Sequence, residues 1–577
     1  MRIVHVKVSN YRNINGISVN FNPLCSYIIG ENNLGKSNLL ALLNTVCSGK
    51  SFDDKDFIDS EQPIEVEMTV KLLPSEQGFF SDNFSPADAS VLKMRYRQNI
   101  RDAYPTVISS DTGESIPIRL IKKINYIQYD TTSIPSKELR LDTQKGAGLL
   151  INGIIERYIS DNTEPPAFLN NEQIDNLLKF INEHLGKIRS FRDYAIKATV
   201  ASSPNDMLTN LFYLSDGERR IDSTGSGIQF MAMASINILC QIMELYKRKS
   251  MLFDEQLYTD ECDRLILPLV LAIDEPEVHL HPYLQRSLIG YYKRILSNGD
   301  TEFAELLKLC FGIDGIEGQL VIVTHSTDAL IGDYRNLIRF YKDGDNTAVI
   351  SGADPNLTIR RENEKHLIMH FPEIKEAFYA HCAVLVEGET EYGCIFAFAE
   401  KLGISLDDNG ICIVNARGGS SIEPLRRLLS VFYIPSIAIY DGDIQAGRTA
   451  SDTEFFTNEL CFEIEIVKNL YKNGRQDIVR KMAIDLDSKA ESVPLDINFV
   501  KKHFEKMSID LSGYTAKKLS DVSDDNEEEF IRMYATWFMV KKGVLLGRII
   551  GETVPVDLIP FCYADAIRKA EGVASNV

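Results

Sequence analysis

No C-x-x-C pair occurs among the ten cysteines of this 577-residue chain. That argues against a zinc site and a disulfide framework, and the scattered thiols point to a reducing, cytoplasmic setting. No apolar run of about 18 residues stands out, so no segment is expected to span a membrane. The N-terminus, MRIVHVKVSNYRNI, alternates like a strand and lacks the apolar core of a signal peptide. Basic charge is in deficit: 62 Lys and Arg against 82 Asp and Glu, a net charge of −20. Such a chain does not coat nucleic acid non-specifically. A local basic groove remains compatible with that balance, and clustered carboxylates are what a metal site would contribute. The rest is ordinary for a globular protein, 44% hydrophobic and 25% charged, with a length that calls for two to four domains.

What is present is organised around Gly30-Glu31-Asn32-Asn33-Leu34-Gly35-Lys36-Ser37. An apolar strand (Ser26 to Ile29) leads into it and a helix (Ser37 to Val46) leads out, which is the context of a phosphate-binding P-loop. Gly30 and Gly35 let the backbone wrap with its N–H groups inward. Asn32, Asn33 and Gly35 fall on the turn around the phosphates, Lys36 is placed to reach the β- and γ-phosphates of ATP, and Ser37 to offer a hydroxyl to Mg²⁺. The plainer alternative is a glycine turn between strand and helix. Arg12, in the turn after the first strand, either reaches the nucleotide or is a surface arginine.

Strand-like runs continue at Glu65–Leu72, Val91–Arg97, Ile116–Ile121 and Ile124–Gln128. From about 130 to 212 the pattern turns helical, and this insertion is either a dimerisation arm or extra core. Two segments then compete as a second nucleotide element. Leu214-Ser215-Asp216-Gly217-Glu218 looks like an ABC-type signature, but its sequel RRIDST is too polar for a buried helix. Ser223-Thr224-Gly225-Ser226-Gly227-Ile228-Gln229 runs into the apolar FMAMASINILCQIMELY, so Gly225 and Gly227 would cap a helix as an anion site. In ABC-type ATPases this element meets the nucleotide of the opposite subunit, which implies a dimer.

The strand Pro268–Ile273 ends in Asp274-Glu275-Pro276-Glu277, a Walker B arrangement. Asp274 would hold Mg²⁺ and Glu275 would position or deprotonate the attacking water. His279 and His281, two apart, are a weaker metal pair than an interface loop. The strand Leu320–Val323 ends in Thr324-His325-Ser326, and His325 matches the switch histidine of ABC ATPases. The first domain closes near residue 350; 351–380 reads as linker and connecting helix.

A second chemistry begins at 381. The strand Cys382–Val386 ends in Glu387-Gly388-Glu389-Thr390-Glu391, Ile411–Asn415 leads to a glycine turn, and Ser436–Tyr440 ends in Asp441-Gly442-Asp443. In a parallel sheet those strand ends converge, so Glu387, Asp441 and Asp443 would meet around Mg²⁺ or Mn²⁺. The bland alternative is that acids merely end strands and cap helices.

V-E-G-x-x-E followed by D-x-D resembles a Toprim domain, and an ABC-type ATPase followed by Toprim resembles the OLD family of ATP-dependent nucleases, with its Gabija and retron-associated relatives. The resemblance spans nearly the whole chain. It implies an α/β fold: an ABC-type ATPase domain over 1–350 with its helical insertion, then a Toprim domain with a helical C-terminal region over 381–577. It makes Glu387 with Glu391 the first acidic pair and Asp441 with Asp443 the second. It adds an acid that is Glu463 or Glu465, and a lysine that is Lys542 or Lys541. The implied activity is ATP-regulated, metal-dependent DNA cleavage in phage defence, by a homodimer or larger assembly, with a second defence protein or a retron RNA/DNA as further candidate partners and no membrane. STGSGIQ departs from LSGGQ, which bears on the rate of ATP hydrolysis. The rival reading is a non-catalytic RecF/SMC-like clamp. Basic candidates for a DNA path are Lys93, Arg95, Arg97 and Arg101, then Arg426, Arg427, Lys501 and Lys502.

Overall fold

The computed structural model describes residues 1–577 except 81–82, 131–138, 140, 142–145, 162–170, 201–211, 216–219, 222–223, 249–252, 279, 358–360, 445–450 and 576–577. The chain forms two compact units, Met1–Leu357 and Thr358–Val577.

The first unit is built on a mixed seven-stranded sheet. Its central strand is Cys25–Gly30, every residue of it buried, flanked by Gly315–Val323 on one side and Leu337–Asp343 on the other. Leu265–Asp274 lies beyond Gly315–Val323, and Tyr126–Asp130 pairs with it in turn. These five strands are parallel, and their apolar runs fit a sheet covered on both faces. The P-loop strand and the Walker B strand are therefore separated by the strand that ends at Val323, two residues before His325. A second sheet, antiparallel, runs in the order Ser18–Asn20, Arg2–Ser9, Ile64–Lys71, Val91–Gln98 and Thr106–Ser109. Ile64–Lys71 alternates buried and half-buried residues as a one-sided strand should. The helix Lys36–Cys47 packs Leu39, Leu40 and Leu43 into one core with Val66 and Met68 of the second sheet and Val270 and Val321 of the first.

Two expectations change here. Ile116–Ile121 is not a strand: Ile118–Ile121 is a short helix after Pro117, whose ring fixes the backbone at a helix start. And the helix Ser226–Arg248 contains one stretch, Gly227–Tyr246, long and apolar enough by length and composition to cross a membrane. Much of it is buried within the unit, and it packs against the helix Gly146–Asp161. There a Cβ on Gly153 would sit 2.3 Å from Met243 Cε, so the two helices approach closely. The insertion also holds the helix Asn171–Leu185 and closes with an antiparallel pair, Lys197–Val200 with Phe212–Ser215. Asp216, Gly217 and Glu218 of the first signature candidate, Ser223 of the second and His279 lie outside the described residues.

The second unit has a four-stranded parallel sheet in the order Ile411–Asn415, Cys382–Val386, Ser436–Tyr440, Glu454–Phe456. The chain leaves the inner strand Cys382–Val386 to one side and returns to the other. That reversal opens a crevice at the C-terminal ends. The helices Glu389–Lys401 and Val544–Thr553 pack backbone to backbone: a Cβ on Gly547 would meet Thr390 O at 2.0 Å, and one on Gly393 would meet Val544 O at 2.5 Å. Trp537, on the helix Glu527–Val540, is buried and stacks on Phe499 at 5.7 Å between ring centres, which anchors the helix Ile497–Lys506.

Candidate functional site

In the first unit the P-loop is shaped by left-handed backbone. Gly35 has φ 93°, and a Cβ there would collide with Ile14 Cγ2 at 2.3 Å. Asn33 has φ 64°, a conformation asparagine tolerates better than most residues. Its carbonyl accepts from Asn13 Nδ2 at 2.6 Å. Lys36 is buried, and its ammonium donates to Gly30 O at 2.8 Å and Glu31 O at 2.5 Å. Burial lowers its pKa to about 8, against the opposing pull of Glu275, Asp274 and Glu31. Asn32, Asn33 and Ser37 are exposed along the loop.

Asp274 ends its strand level with Val323. Glu275 follows with φ 51°, and its N–H donates to Val323 O at 2.8 Å. A glutamate held at positive φ is strained, and such strain collects at functional sites. It brings Glu275 Oε1 to 3.6 Å from His325 Nε2. Burial, with Lys36 nearby, lowers the imidazole's pKa, so the ring is neutral at neutral pH. Glu277 fixes the histidine loop from below: its carboxylate accepts from Thr324 Oγ1 at 2.8 Å and from His325 N at 2.6 Å. Arg12 is committed elsewhere, to Asp56 at 2.8 Å and Asn38 at 2.7 Å. Gly225 is exposed and precedes the helix that Gly227 enters, with no described atom within 4 Å of where its Cβ would be. His281 is exposed before the helix Pro282–Leu296.

In the second unit Glu387 directly follows the strand Cys382–Val386, and its Oε1 accepts the N–H of Asp441 at 2.9 Å. The carboxylate lies against backbone: a Cβ on Gly419 would be 2.9 Å from both its oxygens. Asp441 is buried, and its Oδ1 caps the helix Phe462–Lys472 by accepting from Phe462 N at 3.1 Å. That helix settles the form of CFEIEIV. Its first turn carries both glutamates, Glu463 0% exposed and Glu465 also buried. Glu463 faces Lys542 Nζ at 2.9 Å. Glu465 instead accepts from Asn458 N at 2.6 Å. Lys541 goes to Asp487 at 3.1 Å and lies 5.0 Å from the centre of the Trp537 ring. Asp443 is exposed and paired with Lys506 Nζ at 2.9 Å.

Burial and mutual repulsion dominate the titration of these acids. Burial, then Glu387 and Glu463, push Asp441 up to about 7 against Lys542 and Lys506. Glu391 is raised by burial and by Glu463 and Asp441. Glu387 is raised by burial and by Asp443. Lys542 is raised despite its own burial, because Glu463 holds its proton. A pocket of about 420 Å³ opens here between Glu387, Glu391, Asp441, Lys542 and the backbone of Gly418 and Gly543.

One expectation is not met as drawn. Among the described residues, no three acids, histidines or cysteines are gathered closely enough to hold an ion as they stand. The reason is visible in the pairs: Lys542 occupies Glu463, Lys506 occupies Asp443, and backbone N–H groups occupy Glu387 and Asp441. The donor set still fits a hard divalent cation. Oε1 of the buried Glu463 accepts no hydrogen bond from a described residue, its Oε2 meets Lys542, and buried Asp441 and Glu391 share its surroundings. Lys506, Glu277 and Thr457, whose Oγ1 accepts from Gly442 N at 2.8 Å, were not singled out from the sequence. Glu277 stood in plain view as the third acid of Asp274-Glu275-Pro276-Glu277; nothing local marked the other two.

The chain matches the AAA ATPase domain over residues 1–93 and 97–330, more than half its length. Residues 378–443 match the TOPRIM domain of overcoming lysogenization defect protein-like proteins. It is 23% identical to the Old nuclease of Escherichia phage P2 over 516 residues, covering 80% of this chain and 79% of that one. It is 24% identical to the endonuclease GajA of Bacillus cereus over 370 residues, 56% of this chain and 50% of that one. Among solved structures, the C-terminal region of the Xanthomonas campestris pv. campestris OLD protein matches 34% of this chain and 98% of its own, at 19% identity and TM-score 0.24. The chain therefore belongs to the AAA ATPase domain family, and it carries after that domain a Toprim domain of the kind found in OLD proteins, the domain pair it shares with the OLD nucleases it resembles.

Proposed function

We propose that the chain is an ATP-binding, divalent-metal-dependent DNA endonuclease, acting as a homodimer or larger assembly in defence against phage. The observation that carries this reading is the charge imbalance at the Toprim crevice. Glu391, Asp441 and Glu463 are buried together, and Glu463 faces the ammonium of Lys542. Buried like charges stay ionised only with a compensating cation. Glu387, Asp441 and Asp443, with Glu391 and Glu463 behind them, would hold Mg²⁺ or Mn²⁺, which supplies an activated water and neutralises charge on the phosphodiester. Lys542, rather than Lys541, places its ammonium where negative charge develops on the leaving oxygen. The glycine backbone at 388, 418 and 543 lines the pocket and lets a phosphate approach closely.

At the ATPase site, Lys36 and the loop around Asn32, Asn33 and Gly35 would bind the triphosphate, Ser37 and Asp274 its Mg²⁺. Glu275 would order the attacking water, with His325 sensing the γ-phosphate. The exposure of Gly225 supports entry of the Gly225–Gly227 turn into a partner subunit's site. All ten cysteines are free thiols, which supports a reducing, cytoplasmic setting. Supercoiled plasmid incubated with the full chain and Mg²⁺ or Mn²⁺ should yield nicked and linear products, and none with EDTA. Arms with and without ATP give the sign of the coupling. Intact plasmid under every metal and nucleotide condition would defeat the reading.

A further inference from the structure

The helix Ile497–Lys506 ends on the acid cluster. Asp496 caps its start, accepting from Asn498 N at 2.9 Å and Phe499 N at 3.0 Å. Val500 and Phe504 are wholly buried, and Phe499 stacks on Trp537. These contacts fix the rotation of the helix about its axis. They leave Lys506 on the last turn with its Nζ 2.9 Å from Asp443 Oδ2, both side chains more than a third exposed, 40% and 35%. His503, one turn earlier, lies within the fields of Lys502, Lys506 and Lys542. Lys501 and Lys502 are exposed on the same helix.

The two lysines at the crevice are not equivalent. Lys542 faces a wholly buried carboxylate, and breaking that pair would strand a buried charge. The Lys506–Asp443 pair is half in water, where such pairs contribute little and exchange readily. Of the other basic candidates, Lys93, Arg95 and Arg97 lie in the first unit, paired with Asp111, Glu67 and Glu65, and Arg426 is paired with Glu454; none of these partners is an acid of the crevice.

We propose that Lys506 is a phosphate-binding residue of the nuclease site, resting on Asp443 in the free protein and passing to a non-bridging oxygen of the DNA backbone when a divalent cation takes that carboxylate. The proposal rests on the nuclease reading above. A lysine suits the role: its compact ammonium holds phosphate without reading sequence. Lys501 and Lys502 would extend the track along the helix.

The test uses the full chain as Lys506→Ala and Lys506→Gln, with Lys506→Arg as the charge-keeping variant. Mn²⁺ binding is measured alone by calorimetry, and binding of a fluorescein-labelled duplex is measured in Ca²⁺ across a salt series. Removing the ammonium should tighten Mn²⁺ binding, because Asp443 loses its competitor. It should weaken duplex binding several-fold, lower the salt slope by about one and slow cleavage, with Lys506→Arg recovering the duplex affinity. Unchanged duplex affinity and slope would overturn the proposal, as would metal and duplex binding weakening together, the mark of a structural prop. If Lys506→Ala binds duplex as the parent does while cleavage still requires metal and Asp441, the proposal fails and the nuclease reading stands. If the parent binds and cuts no DNA, both fall.

Discussion

Lys36 holds its ammonium against two carbonyls of its own loop, and burial lowers its pKa to about 8. Between that value and 10.5, the folded protein without nucleotide carries fewer protons than the unfolded chain, so this residue's contribution to stability rises with pH in that window. Binding of ATP requires the charged form, so affinity should fall above about pH 8 by up to roughly tenfold per pH unit. Lys36→Ala should bind ATP far more weakly and without that dependence; equal affinity in a titration of the variant would remove Lys36 from its role. Asp441 has the opposite sign. Its raised pKa means that the folded state binds more protons than the unfolded one from 3.8 up to about 7, so stability is lost as pH rises through that window. In EDTA at pH 8, Asp441→Asn should melt at or above the parent, since its Oδ1 can still cap the helix at Phe462, and added Mn²⁺ should reverse the order. A clearly lower melting point in EDTA would contradict this. Residues of the P-loop and Walker B were legible because their chemistry is contiguous in the chain. Glu463 and Glu465 were not separable: two positions on a helix point about 200° apart, and only the packing of Phe462–Lys472 decides which one faces Lys542.

The helices Glu389–Lys401 and Val544–Thr553 show what holds Lys542 in place. Gly547 lies on Thr390 O and Gly393, and Gly551 on Cys394, so the two backbones run in contact. Gly543, with φ 150°, turns the chain from Lys542 into the second helix. Gly547→Val must push these backbones apart. It should cost about 2 kcal/mol or more, by analogy with overpacked cores, and slow cleavage by displacing Lys542, while ATP hydrolysis holds. A melting point and cleavage rate like the parent's would mean that this contact does not position the lysine. The spacing Gly543-x-x-x-Gly547-x-x-x-Gly551 was readable in the sequence, but its partner at Gly393 was not, because 150 residues separate them. The alternating and buried strands were legible for the opposite reason, that period and length are local properties. Ile116–Ile121 shows the limit of that reading. Its apolar run suits either structure, and Pro117 tips it into a helical turn.

At the scale of the whole molecule, the two candidate sites lie on two sheets, each at the C-terminal ends of parallel strands. That placement follows from topology: crossovers leave the strand ends open where loops gather. If the turn at Gly225 and Gly227 serves a partner's nucleotide, Gly227→Arg should impair hydrolysis but leave ATP binding. Mixing it with Lys36→Ala should restore part of the activity through one intact composite site. No recovery after confirmed subunit exchange would argue against shared sites. The central claim is that the buried acids of the second unit cut DNA while the first unit handles ATP. It is tested most directly by Asp441→Ala, measured for plasmid cleavage with Mn²⁺ and for ATP hydrolysis in the same preparation. Cleavage should fall by roughly a hundredfold or more, with ATP hydrolysis near the parent's. Cleavage at the parent's rate would contradict the account.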